Sequence, residues 1–180
     1  IFDYEYRIDK HSLKVPFIRP RDVFIVPSES GKFETRYIRL NMSLDIETTT
    51  RDGLSAPYIM TISLNVPNTD TFYIYHFRSW DDTQEFCDAI SEHYGVGAKK
   101  WSFEQNKYVE YEKWKRKKRV LLCYIHNATY EFSFCRTELK FSTGEYDFFT
   151  KDSRKMMKAV LENGIEFRDS MALTNSSLEQ

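Results

Sequence analysis

From residue 37 to residue 47 the chain alternates with a period of two. Ile38, Leu40, Met42, Leu44 and Ile46 make one side; Tyr37, Arg39, Asn41, Ser43, Asp45 and Glu47 make the other. Successive side chains on a strand point to opposite faces, so this pattern predicts one long strand with an apolar and a polar face. "YIMTISLNV" (58–66) alternates again, with Met60, Ile62, Leu64 and Val66 on one face. "PNTD" reads as a turn, and "TFYIYHF" (71–77) as a third, aromatic strand. Short connections between the three predict an antiparallel meander.

The period then lengthens. Phe86, Ala89, Ile90 and His93 lie at helical spacing, behind Ser79 as N-cap and Asp81 and Asp82 in the first turn, and Gly95 ends the run. Residues 99–119 are expected to form a second, polar and aromatic helix ending in "KWKRKKR", where six of seven residues are basic. Such a run is ordinarily a solvated helix face. Its functional alternative is a phosphate-contacting patch of Lys115, Arg116, Lys117, Lys118 and Arg119, with Trp114 as a stacking group. "VLLCYI" (120–125) predicts a fourth, buried strand, and Asn127 is expected to cap a helix over 128–140. "EYDFFT", "KMMKAVLE" and "GIEFRDS" predict strands or a hairpin, with Gly164 at a turn. Residues 1–35 are broken by Pro16, Pro20, Pro27 and Gly31 and hold an edge-strand candidate, "RDVFIV". The expected division is an N-terminal extension, 1–36, and an α/β domain, 37–180.

Composition narrows the class. Hydrophobic content of 41%, aromatic content of 16% and charged content of 29% describe a folded protein. A net charge of −1 excludes a globally basic nucleic-acid binder but not a local basic patch. Three cysteines, Cys87, Cys123 and Cys135, are odd in number and lack metal-ligand pairing, as expected of free thiols in a reducing compartment. There is no apolar run of about 18 residues and no basic-then-apolar leader, so no membrane association is expected. The chain opens at Ile1 and stops at Gln180 within a continuing segment, as expected of a piece of a longer polypeptide.

The candidate chemistry starts at "DIE". Acid-x-acid triplets occur four times (Asp3/Glu5, Asp45/Glu47, Glu110/Glu112 and Glu145/Asp147). Chance predicts about four, so the spacing alone carries nothing. The setting carries more. Asp45 and Glu47 share a strand face, with Cα atoms roughly 6.5–7 Å apart. If the helix after the meander is a crossover, strands 37–47 and 120–125 run parallel and adjacent. Their C-terminal ends then meet at one sheet edge, where open α/β sheets bind ligands. The second end carries "HNATYE", in which Asn127 and Glu131 are four apart on one helix. Three carboxylates without cysteine or metal-spaced histidine favour a hard cation, Mg²⁺ or Mn²⁺, and two-metal phosphoryl transfer.

"SLDIETT" followed by "CYIHNATYEFSF" resembles the first two exonuclease motifs of family B DNA polymerases, most like the protein-primed phage and mobile-element branch. "IEFRDSMALTNSSLEQ" is similar to the aspartate-serine-leucine segment that follows in that family. The matches fall in the family's order over roughly 37–180. The resemblance implies an RNase H-like fold: a mixed sheet with an antiparallel meander, a parallel fourth strand and flanking helices. It implies 3′–5′ proofreading with two Mg²⁺ or Mn²⁺ ions, acting on the single-stranded 3′ end of DNA. Asp45, Glu47 and Glu131 match metal-binding carboxylates. Asn127, Tyr130, Ser170 and Met171 match positions that hold single-stranded DNA, and in protein-primed members Ser170 also matches a contact to a terminal priming protein. The implied location is the host cytoplasm.

Three departures stand against the pattern. Glu131 replaces the usual aspartate, moving the carboxylate out by about 1.5 Å, one methylene. Met171 replaces leucine, a swap that keeps volume. The last exonuclease motif, an aromatic followed four residues later by aspartate, would follow Gln180 in the family's order, as would the polymerase domain. The alternative reading is a degenerate RNase H-like module that binds single strands or a protein partner.

Overall fold

The structure is a computed structural model that describes residues 13–111, 116–152 and 155–171. The expected meander is present. β3 (Asn41–Arg51), β4 (Leu54–Asn65) and β5 (Phe72–Phe77) pair antiparallel, with Met42 opposite Leu64 and Ile62 opposite Tyr75. Helix α1 (Trp80–Tyr94) follows, and its caps are those expected from sequence. Asp82 N–H donates to Ser79 Oγ at 3.1 Å. Gly95 takes the left-handed conformation and donates its N–H to the carbonyl of Glu92, and Val96 N–H donates to that of Ser91. Phe86 and Ile90 face the sheet as expected, but Tyr94 and Cys87 complete the buried stripe while His93 is exposed.

The crossover returns the chain to the middle of the sheet. β9 (Leu122–Ile125) pairs parallel with β3, Met42 beside Cys123 and Ser43 beside Tyr124. A second helix, α2 (Ala128–Cys135), leads to β10 (Phe148–Lys151), β11 (Lys155–Val160) and β12 (Glu166–Asp169). β12 lies parallel to β9, with Asp169 beside Ile125. The seven strands run β10-β11-β12-β9-β3-β4-β5. This is the mixed α/β sheet expected, with a parallel fourth strand, and it is compatible with an RNase H-like fold. The core lies between the helices and the face formed by Met42, Leu44, Ile46, Met60, Ile62 and Leu64, where Phe86 packs on Tyr75 and Phe77 at ring distances of 4.5 and 5.1 Å.

Sequence expectations are corrected at three places. The single strand over 37–47 is two: β2 (Glu34–Ile38) and β3, separated at Arg39 and Leu40. β2 instead joins β1 (Val23–Pro27) and β8 (Lys117–Val120) in a three-stranded sheet. The fourth strand is likewise split at Leu121, between β8 and β9. Both breaks lie side by side, because Tyr37 pairs with Val120 but Met42 with Cys123. Five residues on one strand thus span three on the other, and the excess bulges out at 39–40. Second, the helix expected over 99–119 is absent. The described residues there form a hairpin, β6 (Lys99–Ser102) and β7 (Lys107–Glu110), and then β8. Third, the helix expected over 128–140 stops at Cys135.

Candidate carboxylate site at the parallel strand ends

Alternation along β3 buries Met42, Leu44 and Ile46 and leaves Asp45 and Glu47 exposed on the opposite face. Asp45 sits opposite Thr61 on β4, whose hydroxyl is 3.0 Å from His76 Nδ1 on β5. At Glu47/Thr48 the register shifts, so a bulge re-aims the strand where the carboxylates end. Past the bulge, Thr48 Oγ1 lies 3.3 Å from Tyr130 Oη on α2.

α2 buries Ala128, Glu131 and Cys135 as one stripe against the sheet. Glu131 is only 8% exposed, and its Oε2 has no hydrogen-bond partner. Its carboxyl is pushed up to about 7, first by burial and then by the negative charges of Asp45 and Glu47. The structure therefore brings these three acids to one edge of the sheet. Their side chains are not drawn together, and no group of three His, Cys, Asp or Glu among the described residues stands at metal-ligand spacing.

The other expected site residues surround this edge. Asn127 occupies the N-cap position of α2, but it does not cap with its side chain. It adopts the left-handed conformation (φ 52°, ψ 53°), makes no side-chain capping bond and is exposed. Asparagine tolerates that conformation better than most residues, which frees its amide for other use. Tyr130 is 44% exposed and packs edge-on against Phe134, with ring centroids 5.0 Å apart. Ser170 follows β12; its hydroxyl is 3.2 Å from His126 Nδ1, and its backbone N–H donates to the Ile125 carbonyl. Met171 is partly exposed, and its N–H donates to Asp169 Oδ1 at 3.0 Å, the local turn expected of an Asp-Ser pair.

The basic residues do not belong here. Lys115 and Trp114 lie outside the described residues. Arg116 and Lys118 are exposed and Lys117 half-buried, at the opposite end of the sheet from the carboxylates. Arg119 is buried and unsuited to a phosphate contact. Its guanidinium donates to the carbonyls of Tyr94 and Pro20 and to the Tyr108 hydroxyl, and it lies over the Tyr108 ring. The sequence reading missed Thr48, visible only as a polar residue continuing "DIET". His126 follows β9; its ring is partly exposed and bonded to Ser170. Asp169 is buried; its Oδ2 accepts no hydrogen bond but is ion-paired with Lys155 Nζ at 3.8 Å.

No protein-family model matches this chain, and no curated protein matches it. Among solved structures it is similar to Phi29 DNA polymerase complexed with primer-template DNA and incoming nucleotide substrates, at 12% identity and a TM-score of 0.44. The likeness covers 74% of this chain and 21% of that one, so the chain spans about a fifth of the polymerase. A likeness at that level leaves the functional case to the geometry of the site and the motifs that compose it.

Proposed function

We propose that this chain is the 3′–5′ exonuclease region of a family B-like DNA polymerase, with Asp45, Glu47 and Glu131 as its metal-binding carboxylates. The observation that carries the reading is Glu131. A carboxyl that is buried, lacks a hydrogen-bond partner for one oxygen and is pushed up to about 7, first by burial and then by two neighbouring acids, supports a cation-binding role. An all-oxygen donor set fits Mg²⁺ or Mn²⁺. Bound there, two such ions would activate water and neutralise charge on the departing oxygen of a phosphodiester.

The remaining work falls to the chain itself. The ladder to β4 fixes the backbone that presents Asp45 and Glu47 together on the open face. Tyr130 and Thr48 form a lip beside them, on which the terminal base of a single strand can stack. The exposed Asn127 amide and the Ser170 hydroxyl flank that lip and supply hydrogen bonds that orient the 3′ end. If Ser170 Oγ donates to the Ile125 carbonyl, 3.4 Å away, it accepts from His126 Nδ1–H. That fixes the tautomer and leaves Nε2 as an acceptor. Titration of Mn²⁺ into the chain, followed by calorimetry, tests the ligand set. Saturable binding that Asp45→Ala with Glu47→Ala abolishes is expected; equal binding by the double variant would remove these residues from the site.

A second reading has an observation of its own. Glutamate at 131 and the lack of ligand spacing among the three acids fit a degenerate module that binds single strands without cutting them. Salt-sensitive binding with no Mg²⁺-dependent nuclease activity in the intact polypeptide would favour it.

A further inference from the structure

Charge is strongly segregated along this chain. Residues 98–120 hold nine lysines and arginines against three glutamates, a net of +6, whereas the whole chain carries −1 and the remainder therefore −7. The structure shows where this segment goes. β5 runs parallel to β3, so α1 starts at the carboxylate edge, where Ile46, Met60 and Phe77 share a row. Fifteen residues of α1 carry the chain back roughly 22 Å, to the opposite edge. The hairpin β6–β7 is anchored there by Tyr108, whose ring fills the space beside Gly95 and contacts the buried Arg119.

With Tyr108 turned inward, alternation turns Lys100, Ser102, Lys107 and Val109 outward. Lys107 is exposed, and Lys100 holds its ammonium 4.0 Å over the Tyr111 ring. Phe103 at the tip is 89% exposed, with no packing role to explain it. Arg116 and Lys118, both exposed, follow at the base of the hairpin. The acids within the described hairpin are Glu104 and Glu110, and Glu110 is opposite Lys99 on the inward-turned face.

We propose that the outward face of this hairpin is a second binding site, for single-stranded nucleic acid, separate from the carboxylate edge. Lys100, Lys107 and Arg116 contact phosphates, and Phe103 offers a stacking surface for a base. A basic face with an unburied aromatic tip is the combination that holds a single strand without reading its sequence. A duplex would use the cations but not the phenyl ring. The inference rests on charge, exposure and placement, and it stands or falls apart from the carboxylate reading.

The test is fluorescence anisotropy of a labelled oligothymidylate on the 180-residue chain, in EDTA and across a salt series, beside a matched duplex. Lys107→Glu with Arg116→Glu should weaken single-strand binding about tenfold or more at low salt. It should also reduce the slope of log K against log salt by about 1.4, two phosphate contacts at about 0.7 each. Phe103→Ala should weaken single-strand binding about tenfold and leave duplex binding unchanged. The proposal is overturned if the parent chain shows no salt-dependent binding. It is equally overturned if the charge reversal leaves affinity and slope unchanged, or if Arg51→Glu, an exposed change in another hairpin, costs as much.

Discussion

Glu131 is the residue on which the proposed chemistry turns, and its burial has a measurable consequence for stability. Its carboxyl is ordinary, near 4.5, in the unfolded chain and near 7 in the folded one. Below pH 4.5 both states hold the proton. Between about 4.5 and 7 the folded state keeps a proton that the unfolded state has released, so stability falls as pH rises through this window. Above 7 the loss is complete, at a size of order 3 kcal/mol. Thermal unfolding without divalent ions should show this fall in the parent chain, whereas Glu131→Gln should not share it. Mg²⁺ should restore more stability at pH 8 than at pH 5, because only the ionised carboxylate binds it. Equal stabilisation at both values would separate Glu131 from the cation. Tyr130 makes a simpler case: its ring is partly exposed, so Tyr130→Ala should cost only about 1 kcal/mol in unfolding, the scale of its edge-on contact with Phe134. It should weaken excision from single-stranded 3′ ends by about tenfold, the size of one lost base stack.

The elements that place this edge differ in how far the sequence reveals them. The meander and α1 were legible because their signals are local: period two, a turn, a serine cap and a terminal glycine. The break at 39–40 was not, since the apolar period runs straight through it while the strand changes partner. The hairpin β6–β7 was read as a helix because its turn, Phe103–Asn106, lacks glycine and proline. The turn is instead made by Asn106 at φ 50°. Arg119 looked like one of seven exposed residues in a basic run, and its partners at Pro20 and Tyr94 are 99 and 25 residues away. It joins the N-terminal segment, the C-terminus of α1 and the hairpin, and the carbonyl end of a helix suits a buried cation. Arg119→Ala should therefore destabilise the chain by about 3 kcal/mol in a denaturant melt and leave carboxylate-edge metal binding intact in the folded fraction. Gly95→Ala should also destabilise it. The added methyl would meet the Tyr108 ring at 2.3 Å, on a backbone with φ +64° that alanine disfavours.

Across the described residues, the acidic and basic clusters lie at opposite sheet edges. β9 and β12 end together beside the middle of β3, which brings Asp45, His126 and Ser170 from three distant stretches to one level, with Glu131 on the helix beside them. The candidate site was legible in the sequence to the extent that two motifs on neighbouring strands could be joined by a crossover. Thr48 and His126 gained their places only through contacts that cross 82 and 44 residues of chain. No described helix is long and apolar enough to cross a membrane. The basic hairpin lies at the far edge, so one molecule presents an acidic rim and a basic one. The most direct measurement of the central claim is excision of a mismatched 3′ nucleotide from single-stranded DNA by the intact polypeptide in Mg²⁺. Asp45→Ala with Glu47→Ala is expected to lower the rate by about 10³-fold or more, the scale of losing preorganised charge stabilisation. Excision at the parent rate by that double variant would contradict it.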